Sequence, residues 1–94
     1  MTCRHCELTE KLRAYAQQRV DHVLRHFDGV HNVAMVLSAD GPETKVELVI
    51  GTVRGQRLAA TASAGDATGA VDLVADKMDR QIKKLKEKLR DARS

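Results

Sequence analysis

The chain is 94 residues long, 43% hydrophobic and 31% charged, with a formal net charge of +3. That composition allows one domain with one modest core and excludes a disordered chain. No apolar run approaches the roughly 18 residues that cross a bilayer, and the opening Met1-Thr2-Cys3-Arg4-His5-Cys6 lacks the apolar stretch of a secretory signal. No membrane partner is expected, and the cytoplasm is the default compartment.

Thr9 offers a hydroxyl to cap a first helix, on which Leu12, Ala16, Val20, Val23 and Phe27 recur at spacings of three and four. Asp28-Gly29 closes it, since glycine is favoured just beyond a helix end. Three strand-like stretches follow. Val33, Met35 and Leu37 alternate in the first, up to Asp40-Gly41-Pro42, a strong turn signal. In the second, Val46, Leu48 and Ile50 alternate with Lys45, Glu47 and Val49. Beyond a turn near Arg54-Gly55, Leu58, Ala60 and Ala62 alternate with Arg57, Ala59 and Thr61. One apolar and one more polar face is the pattern of an antiparallel sheet packed on one side and wet on the other. Asp66 is placed to cap the last and longest helix, whose Val71, Val74, Met78, Ile82, Leu85 and Leu89 form a continuous stripe. The order predicts one α+β domain over 1–94, with two helices on one face of a mostly antiparallel sheet.

Charge is unevenly spread. From Lys77 onward eight basic residues stand against three acidic ones, a net of +5, while the rest of the chain carries −2. Such asymmetry points to a polyanionic partner. At about 100° per residue, Lys77, Arg80, Lys84 and Lys88 fall together beside the apolar stripe. Lys83, Lys86, Arg90 and Arg93 make the last turns basic nearly all round, which predicts an end projecting beyond the sheet. If the helices lie side by side, Lys11, Arg19, His22, Arg25 and His26 join the lysine row in one cationic surface. Tyr15 and Phe27 are the only aromatic residues. A nucleic acid held there is therefore expected to be gripped through phosphates and grooves, not by base stacking. Two plainer readings stand beside this one. A lysine-rich helix face also serves solubility alone, and Tyr15 is expected to pack at the edge of the core.

Cys3 and Cys6 with His22 and His26 match a two-cysteine, two-histidine zinc spacing. Geometry argues against it. His22 would sit roughly 20 Å along the first helix from the cysteines, whereas zinc bonds are about 2.0 to 2.3 Å long. Cys3 and Cys6 remain metal candidates only for a site shared between chains, and in a reducing compartment they are expected as free thiols or ligands and not as a disulfide. No nucleophile elbow, phosphate-binding loop, zinc-protease motif or dinucleotide turn is present. Neither an enzyme, a cofactor nor a small-molecule substrate is expected.

Arg4-His5-Cys6-Glu7-Leu8-Thr9, Phe27-Asp28-Gly29-Val30, Asn32-Val33, Val36-Leu37-Ser38, Ala60-Thr61-Ala62 and the block from Ala70 to Leu89 give the chain a family likeness. It resembles, over nearly its whole length, the short form of the ribosome hibernation-promoting factors and ribosome-associated inhibitors. The resemblance implies a (β)-α-β-β-β-α domain similar to double-stranded-RNA-binding folds, with a sheet of three to four strands. It also implies a partner: the small ribosomal subunit and its ribosomal RNA, bound over the transfer and messenger RNA sites so that translation stops. The positions it implicates are Arg19, Arg25, Lys77, Arg80, Lys83, Lys84, Lys86 and Lys88, to which His22 and Arg90 are added from their place in the charge pattern. Five to eight phosphate contacts would give log affinity against log salt a slope of about −4 to −7.

Two departures from the family pattern shape the remaining expectations. The strand that normally precedes Arg4-His5 has almost no residues here, so it is expected to be missing or truncated. An exposed sheet edge would follow, and with it self-association. The chain also ends at Ser94, without the C-terminal dimerisation domain of long members. A monomer on the ribosome is expected; the alternative is a homodimeric or partner-binding module with no direct ribosome role.

Overall fold

The computed structural model describes residues 1–4, 8–25, 29–53 and 55–91, with the side chains of 40 and 89–91 excepted. The elements are β1 (Thr2–Arg4), α1 (Glu10–Leu24), β2 (Val30–Asp40), β3 (Glu43–Thr52), β4 (Arg57–Ala64) and α2 (Ala67–Asp91). Both helices start where the sequence places their caps. Thr9 Oγ1 accepts from Leu12 N at 3.1 Å, and Asp66 Oδ1 accepts from Gly69 N at 2.6 Å. The first helix stops at Leu24, with Arg25 as its C-cap and not Phe27; Phe27 and Asp28 lie outside the described residues. Gly29 follows at φ +88°, a conformation that only glycine adopts without strain.

The four strands form one mixed sheet in the order β1-β2-β3-β4. The β2–β3 and β3–β4 ladders are antiparallel, and β2 carries an irregularity in register between Val30 and Asn32. A first strand is present. β1 is three residues long and pairs parallel with β2, Thr2 with Val36, Cys3 with Leu37 and Arg4 with Ser38. Among the described residues, β2 ahead of Val36 has no strand on that side.

Alternation sends Met35 and Leu37 of β2, Val46, Leu48 and Ile50 of β3, and Ala60 and Ala62 of β4 to one face, where all are buried. Both helices cover that face. α1 supplies Ala16, Val20 and Val23, and α2 supplies Ala70, Val71, Val74, Ala75, Met78 and Ile82. Alanines on β4 and on α2 allow the two to approach closely. The opposite face of the sheet is left open. With principal extents of 48 × 20 × 19 Å the molecule is elongated, because α2 has 25 residues and runs about 37 Å at 1.5 Å per residue.

Candidate nucleic-acid interface

α1 and α2 lie side by side and run the same way. Tyr15 meets Asp72 and Arg19 meets Asp76, both at an offset of 57 residues. The Tyr15 hydroxyl donates to the Asp72 carboxylate. Arg19 Nε stands 3.1 Å from Asp72 Oδ1, an ion-pair distance without hydrogen-bond alignment, and its Nη2 donates to Asp76 Oδ1 at 3.4 Å. Asp72 and Asp76 are four apart in sequence, so both project from the same flank of α2. Arg19, expected among the RNA-facing residues, is thus engaged between the helices by carboxylates of its own chain. The same seam acts on Tyr15. Its hydrogen bond to Asp72, with partial burial and the carboxylate's charge adding, raises its pKa above 10, against an opposing pull from Arg19.

The other flank of α2 faces β4. Lys77 Nζ donates to Thr61 O at 2.8 Å and Gln81 Nε2 donates to Ala59 O at 2.7 Å. These side chains occupy outward carbonyls of an edge strand, which blunts that edge against pairing. They also fix a level. By the same correspondence, four helix residues (about 6 Å) to two strand residues (about 6.7 Å), Arg57 is about level with Leu85, one position past Lys84. Lys88 follows on the same flank.

Beyond this the helix runs clear of its neighbour. By the 57-residue offset Leu24, the last residue of α1, lies beside Gln81, so α2 continues about 15 Å past it. Lys83 turns back to Asp79 at 3.0 Å. Arg80, Lys84, Lys86 and Lys88 are exposed and have no ion-pair partner among the described residues. The Arg90 side chain and His26 lie outside the described residues. Arg25 caps α1 with its N–H bonded to Asp21 O at 3.1 Å and is exposed, as are His22 and Lys11. Of the described basic residues expected on α1, Arg19 is drawn into an ion pair in the seam between the helices.

Sequence reasoning passed over Asp72 and Asp76 as neutralisers of Arg19; their spacing of four on one helix flank was the available signal. It also passed over Arg57, which alternation assigns to the open sheet face, where it lines a groove. Tyr15 packs half-buried against the core as expected. Cys3 is corrected: it is disulfide-bonded and brings no free thiol or thiolate ligand. Compartment arguments weigh redox poise, whereas bonding needs only a second cysteine within reach, and the C-x-x-C spacing supplies one in sequence. Cys6 itself lies outside the described residues.

A two-layer α+β domain, with parallel helices on one face and a projecting cationic helix end, is the class that this fold and surface define. The family model of the sigma 54 modulation protein / S30EA ribosomal protein matches residues 1–90, and the chain belongs to that family. A ribosome hibernation promoting factor of Pseudomonas putida is 38% identical over 84 residues, covering 89% of this chain and 81% of that one. The protein of that name from Escherichia coli is 32% identical, with 96% and 94% covered. Among solved structures, a ribosomal subunit interface protein from Coxiella burnetii superposes with a TM-score of 0.86 at 21% identity, over 93% of this chain and 94% of that one. The N-terminal domain of Protein Y from Thermus thermophilus gives 0.76 at 23% identity, over 89% and 92%. These two likenesses are of fold.

Proposed function

We propose that this chain is a ribosome hibernation factor that binds the small ribosomal subunit through ribosomal RNA, without catalysis, and halts translation by covering the transfer and messenger RNA sites. The observation that carries the reading is the cationic C-terminal half of α2, where Arg80 and, on the projecting end, Lys84, Lys86 and Lys88 are exposed and unpaired among the described residues. Phosphate recognition needs cations of this kind, held on a rigid support and free of internal partners. Relatives named as hibernation promoting factors support the ribosome as partner. Lys83, Lys77, Arg25, His22 and Arg90 make up the flanks of the same surface, and the protein acts as a monomer there.

Four α2 contacts predict a slope of log affinity against log salt of about −3 to −4, less steep than the sequence alone suggests. Cosedimentation with purified small subunits over a salt series measures it. Exchanging Lys84 and Lys88 for glutamine should weaken binding and flatten the slope by about 1.4 to 1.8. Unchanged binding by that variant removes the assignment.

A second reading is supported by the β2 edge ahead of Val36, which has no neighbouring strand among the described residues. Pairing of two copies along it would make a homodimeric module. Stable self-association in sedimentation velocity, with no comigration with ribosomes, would favour that reading over the first.

A further inference from the structure

The open face of the sheet carries a groove of about 620 Å³ at the end where β4 begins. Ala34, Val36 and Val49 line its floor, Asn32 and Gln56 flank it, and Arg57 lines it from the edge strand β4. Asn32 is confined at its amide and Gln56 at its backbone. Asn32 Oδ1 reaches over Gly51, where a Cβ would stand only 2.5 Å from it, so the missing side chain makes the room. Gln56 is anchored through its backbone, its N donating to Thr52 Oγ1 at 3.1 Å and its O accepting from Thr52 N at 2.9 Å. Among the described residues neither amide group nor the Arg57 guanidinium has a hydrogen-bond or ion-pair partner.

We infer that this groove is a binding site for a single unpaired nucleotide of the RNA whose backbone α2 grips, and in this it rests on the RNA-binding reading. Three observations converge on that occupant. Arg57 of the groove stands on β4, the edge strand whose carbonyls Lys77 and Gln81 of α2 bind. Its size suits one nucleotide, lying inside the roughly 300–1,000 Å³ range of small-molecule sites. Its chemistry is that of base recognition: side-chain amides donate and accept in pairs against base edges, while an aliphatic floor takes the flat face. The charges also orient the ligand. Arg57 draws the phosphate toward α2, and Glu47 at the other end of the floor repels a phosphate but accepts hydrogen bonds from a base.

Nuclear magnetic resonance of the ¹⁵N-labelled wild-type chain tests the groove directly. The probes are the four ribonucleoside monophosphates, with inorganic phosphate as control. At least one nucleotide should shift the Asn32 and Gln56 side-chain NH₂ signals saturably, while phosphate alone leaves them in place. No movement with any nucleotide, or the same movement with phosphate, overturns the inference. A second measurement uses small subunits. The double variant Asn32→Ala/Gln56→Ala should bind about tenfold more weakly with its salt slope unchanged, since amides carry no charge, whereas Arg57→Gln should flatten the slope by about 0.7 to 0.9. Affinity untouched by the amide variant, with wild-type protein binding normally, sinks the groove alone. Failure of the wild-type chain to bind small subunits at any salt overturns the ribosome reading instead, and the nucleotide shifts then decide the groove by themselves.

Discussion

The first half of α2 and its second half are written in much the same amphipathic code, yet charge meets opposite fates in them. Up to Ile82 the polar flanks, Arg80 apart, are used within the molecule. Asp72 and Asp76 hold Arg19 and Tyr15, Asp79 holds Lys83, and Lys77 and Gln81 bind carbonyls of β4. Past that point α1 has ended, and Lys84, Lys86 and Lys88 form no ion pair among the described residues. A count of charges along a helix therefore does not say which are offered to a partner. The neighbouring element decides.

The comparison can be broken at several points. The largest effect is expected from Met78→Ala in the packed half. Met78 is fully buried, and its truncation should lower unfolding free energy by about 2–5 kcal/mol in urea titration. Leu85→Ala, at a half-buried position beyond the end of α1, should cost about 1 kcal/mol, since less surface returns to water. Equal costs would mean that the second half of α2 is packed as tightly as the first. Arg19→Ala comes next. It should destabilise by about 0.5–1 kcal/mol, because the pair is partly solvated, and leave the salt slope of small-subunit binding where it was. A flatter slope would return Arg19 to the RNA-facing set.

Smaller effects sharpen the picture. Tyr15 is the only tyrosine and there is no tryptophan, so the ultraviolet absorbance of the phenolate follows one group. Its midpoint should lie above 10 in the folded protein and return to about 10 in Asp72→Ala. The sign of the linkage follows. Folded Tyr15 holds its proton to higher pH than unfolded Tyr15, so its contribution to stability is complete below pH 10 and declines as pH rises through the raised value. A midpoint at 10 in the wild type would deny the seam. The smallest change is expected at Gly69, where a Cβ would stand 2.9 Å from the capping Asp66 Oδ1. Gly69→Ala gains about 1 kcal/mol of helix propensity and loses about as much capping, so thermal unfolding should barely move.

Much of this architecture could be read from the residues, and what could not shares one cause. β2, β3 and β4 announce themselves by alternation and α2 by its stripe, since both signals are local and repeat several times. β1 is too short to repeat anything: three residues paired with Val36–Ser38 have no period. The extent of α1 was overstated because Phe27 keeps the helical spacing, whereas the helix ends at Leu24 with Arg25 as its C-cap. Among the interface residues, Lys84 and Lys88 were legible from helical angle alone. The withdrawal of Arg19 was not, because it depends on Asp72 and Asp76, distant in sequence and brought close only by the fold.

The parallel course of α1 and α2 has an electrostatic consequence of its own. Antiparallel helices cancel their backbone dipoles, whereas these two add. Each contributes about half a negative elementary charge at its C-terminal pole, and both poles point toward the lysine-bearing end. Lys88, in the closing turns of α2, therefore steadies the helix by about 0.3–1 kcal/mol as well as facing outward. An approaching polyanion meets a field already reduced by the peptide groups, weaker than the side chains alone would generate.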